Sequence, residues 1–123
     1  MSQQIRLELG SIYISEQVIA TFCGVAAMEC YGLVGMAPRN VQEGLSELLR
    51  RDNYDRGVDV QLYDDNSIGL RLYVVVQYGL KISEVAKNIQ ERVRYTVEKH
   101  LGLNVRNIDI RVQGVRVTDI KRK

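Results

Sequence analysis

Between Asp64 and Gly79 the chain reads DDNSIGLRLYVVVQYG, and Leu70, Leu72, Val74 and Val76 recur in it at every second position. That two-residue period gathers four aliphatic side chains on one face of a long strand. A strand so apolar on one side needs a covering layer, which commits the rest of the chain to a layered fold. Val58, Val60 and Leu62 alternate just before it, so DDNSIG reads as the turn of a hairpin, and Gly79 closes the second strand.

The covering layer is legible as helices. Ser15 can cap a helix that carries Val18, Ile19, Phe22, Val25 and Ala26 at helical spacing, with Glu16 suited to the positive end of its dipole. Ala20, Gly24 and Ala27 are small and allow another element to approach closely, and Gly32 is a natural stop. After Pro38, Asn40 and Glu43 have capping-box spacing. Val41, Leu45, Leu48 and Leu49 form the stripe of a second helix, with Glu47 and Arg51 as an exposed ion pair and DNYDRG as its end. Ile82, Val85, Ala86, Ile89, Val93, Thr96 and Val97 mark a long amphipathic helix ending near Leu101 and Gly102.

Strands flank these helices. Ile5, Leu7 and Leu9 alternate with Arg6 and Glu8, after which the apolar parity changes to Ile12 and Ile14; Gly10 sits at the shift and reads as a bulge within one strand. A last strand turns Ile108, Ile110 and Val112 inward against Asn107, Asp109, Arg111 and Gln113. The expected order is β-α-α-β-β-α-β, an α+β two-layer sandwich with a small mixed or antiparallel sheet and its helices on one face. One domain spans 1–123, with a short polar N-terminus at 1–4 and a basic tail at 118–123.

Composition excludes several classes. With 46% hydrophobic and 26% charged residues the chain can bury a core, and a net charge of +2 is too small to argue for nucleic acid by itself. The first residues lack the basic start and apolar run of a signal peptide, and Glu29 interrupts the longest apolar candidate for a membrane span. Two cysteines give no disulfide framework, so a reduced, cytoplasmic protein is expected.

Catalytic and metal chemistry find little to build on. Cys23 and Cys30 are seven residues apart, about 10 Å along a helix, too far to bridge or to share a zinc ion; both read as small buried hydrophobes. His100, the sole histidine, sits where a cation suits a helix C-terminus. The pairs Asp64–Asp65 and Asp52/Asp55 fall in polar turns without the ligand pattern of a calcium loop. No catalytic residue, metal or cofactor is expected. GLVG at Gly32–Gly35 is similar to the GXXG loop of the KH nucleic-acid module, but its middle residues Leu33 and Val34 are neither small nor basic, so nucleic-acid binding is the lesser expectation.

GSIYISEQVI, YGLVGM, RGVDVQLY, LYVVVQYGLKISEVAKNIQERV and NVRNIDIRVQGV together, spanning Ile5 to Val117, resemble the alkaline-shock-protein / Gls general-stress family. The resemblance implies a non-enzymatic bacterial protein of envelope stress and homeostasis that acts through protein contacts. It carries over no catalytic residues. It also implies a cytoplasmic location, in some members at the inner face of the membrane through a separate anchor protein. Members encoded near lipid-metabolism genes add an associational hint only.

A contact surface is expected on the outer face of the sheet, as self-association or partner docking. With Leu72, Val74 and Val76 facing the helices, Arg71, Tyr73, Val75 and Gln77 point away; Tyr63 and Tyr13 take the same outward parity on neighbouring strands.

Overall fold

The computed structural model describes residues 2–38 and 48–117, with the side chains of 51 and 52 outside the description. The chain runs β1 (Ser2–Leu7), β2 (Gly10–Ser15), α1 (Glu16–Met28), β3 (Leu33–Met36), a 3₁₀ segment (Arg51–Gly57), β4 (Val58–Leu62), β5 (Ser67–Gln77), α2 (Ile82–Thr96), a π-helical turn (Val97–Leu101) and β6 (Asn104–Arg116). The fold is α+β, as expected. Of the stripe assigned to a helix after Pro38, Val41 and Leu45 lie outside the described residues, as does the basic tail; Leu48 and Leu49 are described and are not helical, the Leu49 amide donating to the Met36 carbonyl at 2.8 Å.

β5 is the axis of the fold. β6 pairs with it in parallel along its whole length, while β4 and β3 both pair antiparallel, β4 with its first half and β3 with its second. Since β6 occupies one edge throughout, β4 and β3 lie end to end along the other, and the four-stranded sheet is mixed. A parallel neighbour needs a crossover, and α2 supplies it. Ile68, Leu70, Leu72, Val74 and Val76 are all but fully buried beneath α1 and α2, so the alternation read from the sequence is the core face.

α1 begins as the sequence says, with the Ser15 side chain accepting from the Val18 amide at 3.3 Å. Its small residues serve close approach: a Cβ on Gly24 would lie 2.7 Å from the Tyr54 Cβ, so the 3₁₀ segment rests directly on the helix backbone. In α2 the buried residues Val85, Ile89, Val93, Val97 and Leu101 recur every four positions. On a helix of 3.6 residues per turn that stripe drifts about 40° per step. The wider π-helical turn at Val97–Leu101 brings its last members back onto the core. Gly102 then ends the element in the left-handed region at φ 72°.

Several expectations are corrected. The parity change near Gly10 is not a bulge: β1 and β2 are two strands of a hairpin, Ile5 opposite Ile12 and Leu7 opposite Gly10, forming a sheet of their own. An antiparallel pair joined by two residues matches odd positions with even ones, so a hairpin shifts parity just as a bulge does. Residues 2–4 are not a loose lead but part of β1, and Gln3 is buried at 7% exposure. Its amide donates to the Ser67 carbonyl at 2.9 Å and to the Tyr63 carbonyl at 3.3 Å, pinning the hairpin to the β4–β5 turn. Residues Leu33 to Gly35 are strand β3 rather than a loop. Cys30 lies past the end of α1 and is half-buried, whereas Cys23 is fully buried; both thiols are free.

Candidate functional site

The six residues expected to form one outward surface do not come together as one. Val75 is 0% exposed: Gly35 pairs opposite it, and the Leu48 side chain lies where a Gly35 Cβ would be, closing that corner of the outer face. Tyr13 belongs to the hairpin sheet, opposite Gln4, away from the four-stranded sheet. Tyr63, Arg71, Tyr73 and Gln77 do share the outer face, but much of their polarity is used internally. The Tyr73 hydroxyl donates to Asp59 at 3.0 Å, and Arg71 lies 3.8 Å from Asp109 across the parallel pair. The Tyr73 hydroxyl, then the charges of Asp109 and Asp59, hold the proton on the Arg71 guanidinium more firmly than usual. Arg106 stacks over the Tyr63 ring at 3.8 Å and reaches Asp65 at 3.0 Å, while that ring covers Gly69. This face is polar and largely paired within itself, although the buried Arg71 Nε has no hydrogen-bond partner.

The more open surface is on the other side, on the helices. Val18, Phe22 and Val25 are 42%, 38% and 42% exposed. Their spacing of four and three makes them a second stripe on α1, beside the buried stripe of Ile19, Cys23 and Ala26. A helix apolar on two faces is one that expects two coverings. The second stripe borders a groove of about 510 Å³ between α1 and the end of α2, lined by Thr21, Phe22, Val25, Ala26, Glu29, Arg92, Tyr95, Thr96 and His100. Arg92 bridges the two helices by binding Glu29 at 2.7 and 3.1 Å. Lys99 is held against Tyr95, donating to its hydroxyl at 2.8 Å, and this contact raises the lysine pKa.

The sequence reading merged both stripes of α1 into one face. Separating Val18, Phe22 and Val25 from Ile19, Cys23 and Ala26 on a helical projection would have revealed the second. The hairpin carries another exposed apolar cluster: Leu7 and Ile12 are about half exposed, and Leu9 in the turn is fully so at 102%.

Both thiols sit where desolvation disfavours the thiolate. Burial pushes the Cys23 thiol up to about 12, and desolvation also raises Cys30. Among the described residues no three of His, Cys, Asp and Glu are grouped to hold a metal ion. No described helix is long and apolar enough to cross a membrane. The GXXG resemblance is corrected by geometry: Gly32 is in a turn, Leu33–Met36 pairs with β5, Leu33 packs on the core, and Leu48 covers Gly35. The segment is a strand paired with β5, not an open loop between two helices.

A family model described as an alkaline shock family of cell envelope-related function matches residues 4–117. YloU of Bacillus subtilis is 49% identical over 120 residues, covering 97% of this chain and 99% of its own. Spy1614 of Streptococcus pyogenes is 42% identical over 118 residues, covering 95% and 97%. A solved structure of Aquifex aeolicus Era overlaps 86% of this chain and 34% of its own, at 15% identity and a TM-score of 0.44. A likeness that low carries no argument about fold or function.

Proposed function

Because this chain belongs to the alkaline shock family, whose function is cell envelope-related, we propose that it serves the envelope by protein contact, without catalysis. The contact surface is the groove between α1 and α2. The observation that carries this reading is the second apolar stripe of α1, Val18, Phe22 and Val25, left uncovered beside a core stripe that is complete. An apolar strip at the rim of a groove, flanked by Arg92, Glu29 and His100, has the make-up of an interface centre with a polar edge. The absence of catalysis is supported by thiols whose environments disfavour the thiolate. In this reading the protein acts in envelope stress or homeostasis from the cytoplasmic side, and reaches the membrane's inner face through a partner such as an anchor protein. Tyr63, Arg71, Tyr73 and Gln77 form a smaller secondary surface, less adhesive because Tyr73, Arg71 and Tyr63 make polar contacts within the sheet.

Val25→Glu tests the proposal. Val25 is exposed enough that the substitution should leave the circular dichroism spectrum and melting temperature near wild type. In the cell it should reproduce the envelope defects of deleting the gene. A Val25→Glu strain that withstands envelope stress as well as wild type, where the deletion strain does not, would contradict it.

A further inference from the structure

β6 is paired on one side only. Parallel contact with β5 runs along its whole length, and among the described residues no strand joins its other edge. Backbone groups of successive strand residues point to opposite edges, so every second residue of β6 turns its amide and carbonyl outward. Two of these outward groups are answered by α2 and the π-helical turn after it. The Glu98 carboxylate accepts from the Val105 amide at 3.2 Å, and the Gln90 side chain donates to the Ile108 carbonyl at 2.8 Å. These side chains take the place that a neighbouring strand would hold. Counting on by twos puts Ile110 and Val112 on the same edge. Past the register shift after Val112, Arg116 turns its carbonyl to the Tyr78 amide, which leaves Val115 facing out. Among the described residues no side chain bonds the outward backbone of Ile110, Val112 or Val115. Their side chains lack a neighbour too: Leu72 and Val74 on β5 are fully buried, whereas Ile110 and Val112 beside them are half-buried and Val115 is 45% exposed.

We propose that the edge of β6 from Ile110 to Val115 takes up an extended segment of another protein as an added strand, and that this segment alternates apolar residues with carboxylates. Pairing supplies the backbone bonds, and the alternation supplies specificity. On the helix side, apolar residues of the incoming strand extend the core past Ile110, Val112 and Val115. On the other side stands Arg111, opposite Tyr73 in register and without an ion pair or hydrogen bond among the described residues, whereas Arg71 and Arg106 have Asp109 and Asp65. No acidic residue lies between Ile110 and Val117. A carboxylate placed across from Arg111 therefore gives that cation its partner. A second copy of the same edge would instead set Arg111 near its own kind, a pairing that like charge and the bulge at Gln113 both oppose. The occupant is thus an acidic strand of a different protein.

The probe is a short synthetic peptide with blocked ends that alternates valine with glutamate, added to the purified protein and followed by amide exchange in NMR spectra. In the free protein the Ile110, Val112 and Val115 amides should exchange fast although they lie in a strand, and the peptide should slow them selectively. Val112→Pro deletes one outward amide, a change that an edge strand tolerates, and should abolish the protection. Arg111→Glu, on the solvated face, should bind this peptide about tenfold more weakly and accept its valine–lysine counterpart instead. That charge reversal carries the test alone if Val112→Pro fails to fold. Edge amides that are already slow in dilute free protein overturn the proposal, because the edge is then closed. Protection that appears with rising protein concentration alone overturns it in favour of a second copy. Saturating peptide that leaves these amides unchanged, or binding that Arg111→Glu does not weaken, overturns it as well. None of these residues lines the α1–α2 groove, so the groove reading still stands or falls on the Val25→Glu strain.

Discussion

Cys23 sits in α1 with no exposure, and burial lifts its thiol from an ordinary 9.0 to about 12. The sign of the consequence is fixed: the folded state keeps the proton over a range in which the unfolded chain releases it. Stability is therefore intact below pH 9 and falls between pH 9 and about 12, by up to about 4 kcal/mol for three pH units. Urea unfolding from pH 8 to 11 should reveal this slope, and Cys23→Ala should flatten it even though it lowers stability at neutral pH. In native protein Cys30 should label with thiol reagents faster than Cys23, which should react only on unfolding; equal rates would mean that α1 opens. Gly24 is a second residue whose role is geometric. With Tyr54 at 2.7 Å from any added Cβ, Gly24→Ala should destabilise by about 1–3 kcal/mol despite a gain in helix propensity of about 1 kcal/mol. A neutral or higher melting temperature would show that the 3₁₀ segment can yield.

Among the elements, the hairpin departs furthest from the sequence reading, and it depends on one buried amide. Gln3→Ala removes both bonds to the β4–β5 turn, while the Ser67 and Tyr63 carbonyls keep the Tyr63 and Asn66 amides as donors, so the cost is that of the lost bonds, about 0.5–1.5 kcal/mol each. Hydrogen exchange should speed up selectively in β1 and β2, while β5 and α2 keep their protection; uniform acceleration would mean that the hairpin is integral to the core. The long strand and the long helix were legible because their periods, two and near four, repeat often enough to be unambiguous. Ile89 and Gln90 show how neighbours divide the work, Ile89 fully buried and the Gln90 amide donating to the Ile108 carbonyl of β6 at 2.8 Å. The hairpin was not legible because Gly10 marks a phase change that a bulge and a tight turn produce alike. Strand β3 was missed because four residues are too few for a period, and two glycines around Leu33 and Val34 read as a loop.

For the whole molecule, the sequence announced a two-layer α+β domain and directed attention to the outer sheet face rather than to the exposed stripe of α1. Alternation assigns Arg71, Tyr73 and Val75 to the outer face correctly, yet it cannot say that Leu48 returns to close over Gly35 and leave Val75 no exposure. Nor can it say that Tyr73 finds Asp59 on the neighbouring strand β4, where Asp59 stands opposite Arg71. Those contacts depend on which strands become neighbours, which a period does not encode. The uncovered stripe of α1 was present in the spacing but hidden among other apolar residues of the same helix. The central claim is that this groove, rather than the outer sheet face, meets the protein's partner. Photo-crosslinking in living cells tests it directly, with a photoreactive amino acid at position 25 in one strain and at position 73 in another. The account predicts a discrete protein adduct from position 25, of twice 14.0 kDa if the partner is a second copy, and little or none from position 73. Adducts from position 73 with none from position 25 would contradict it.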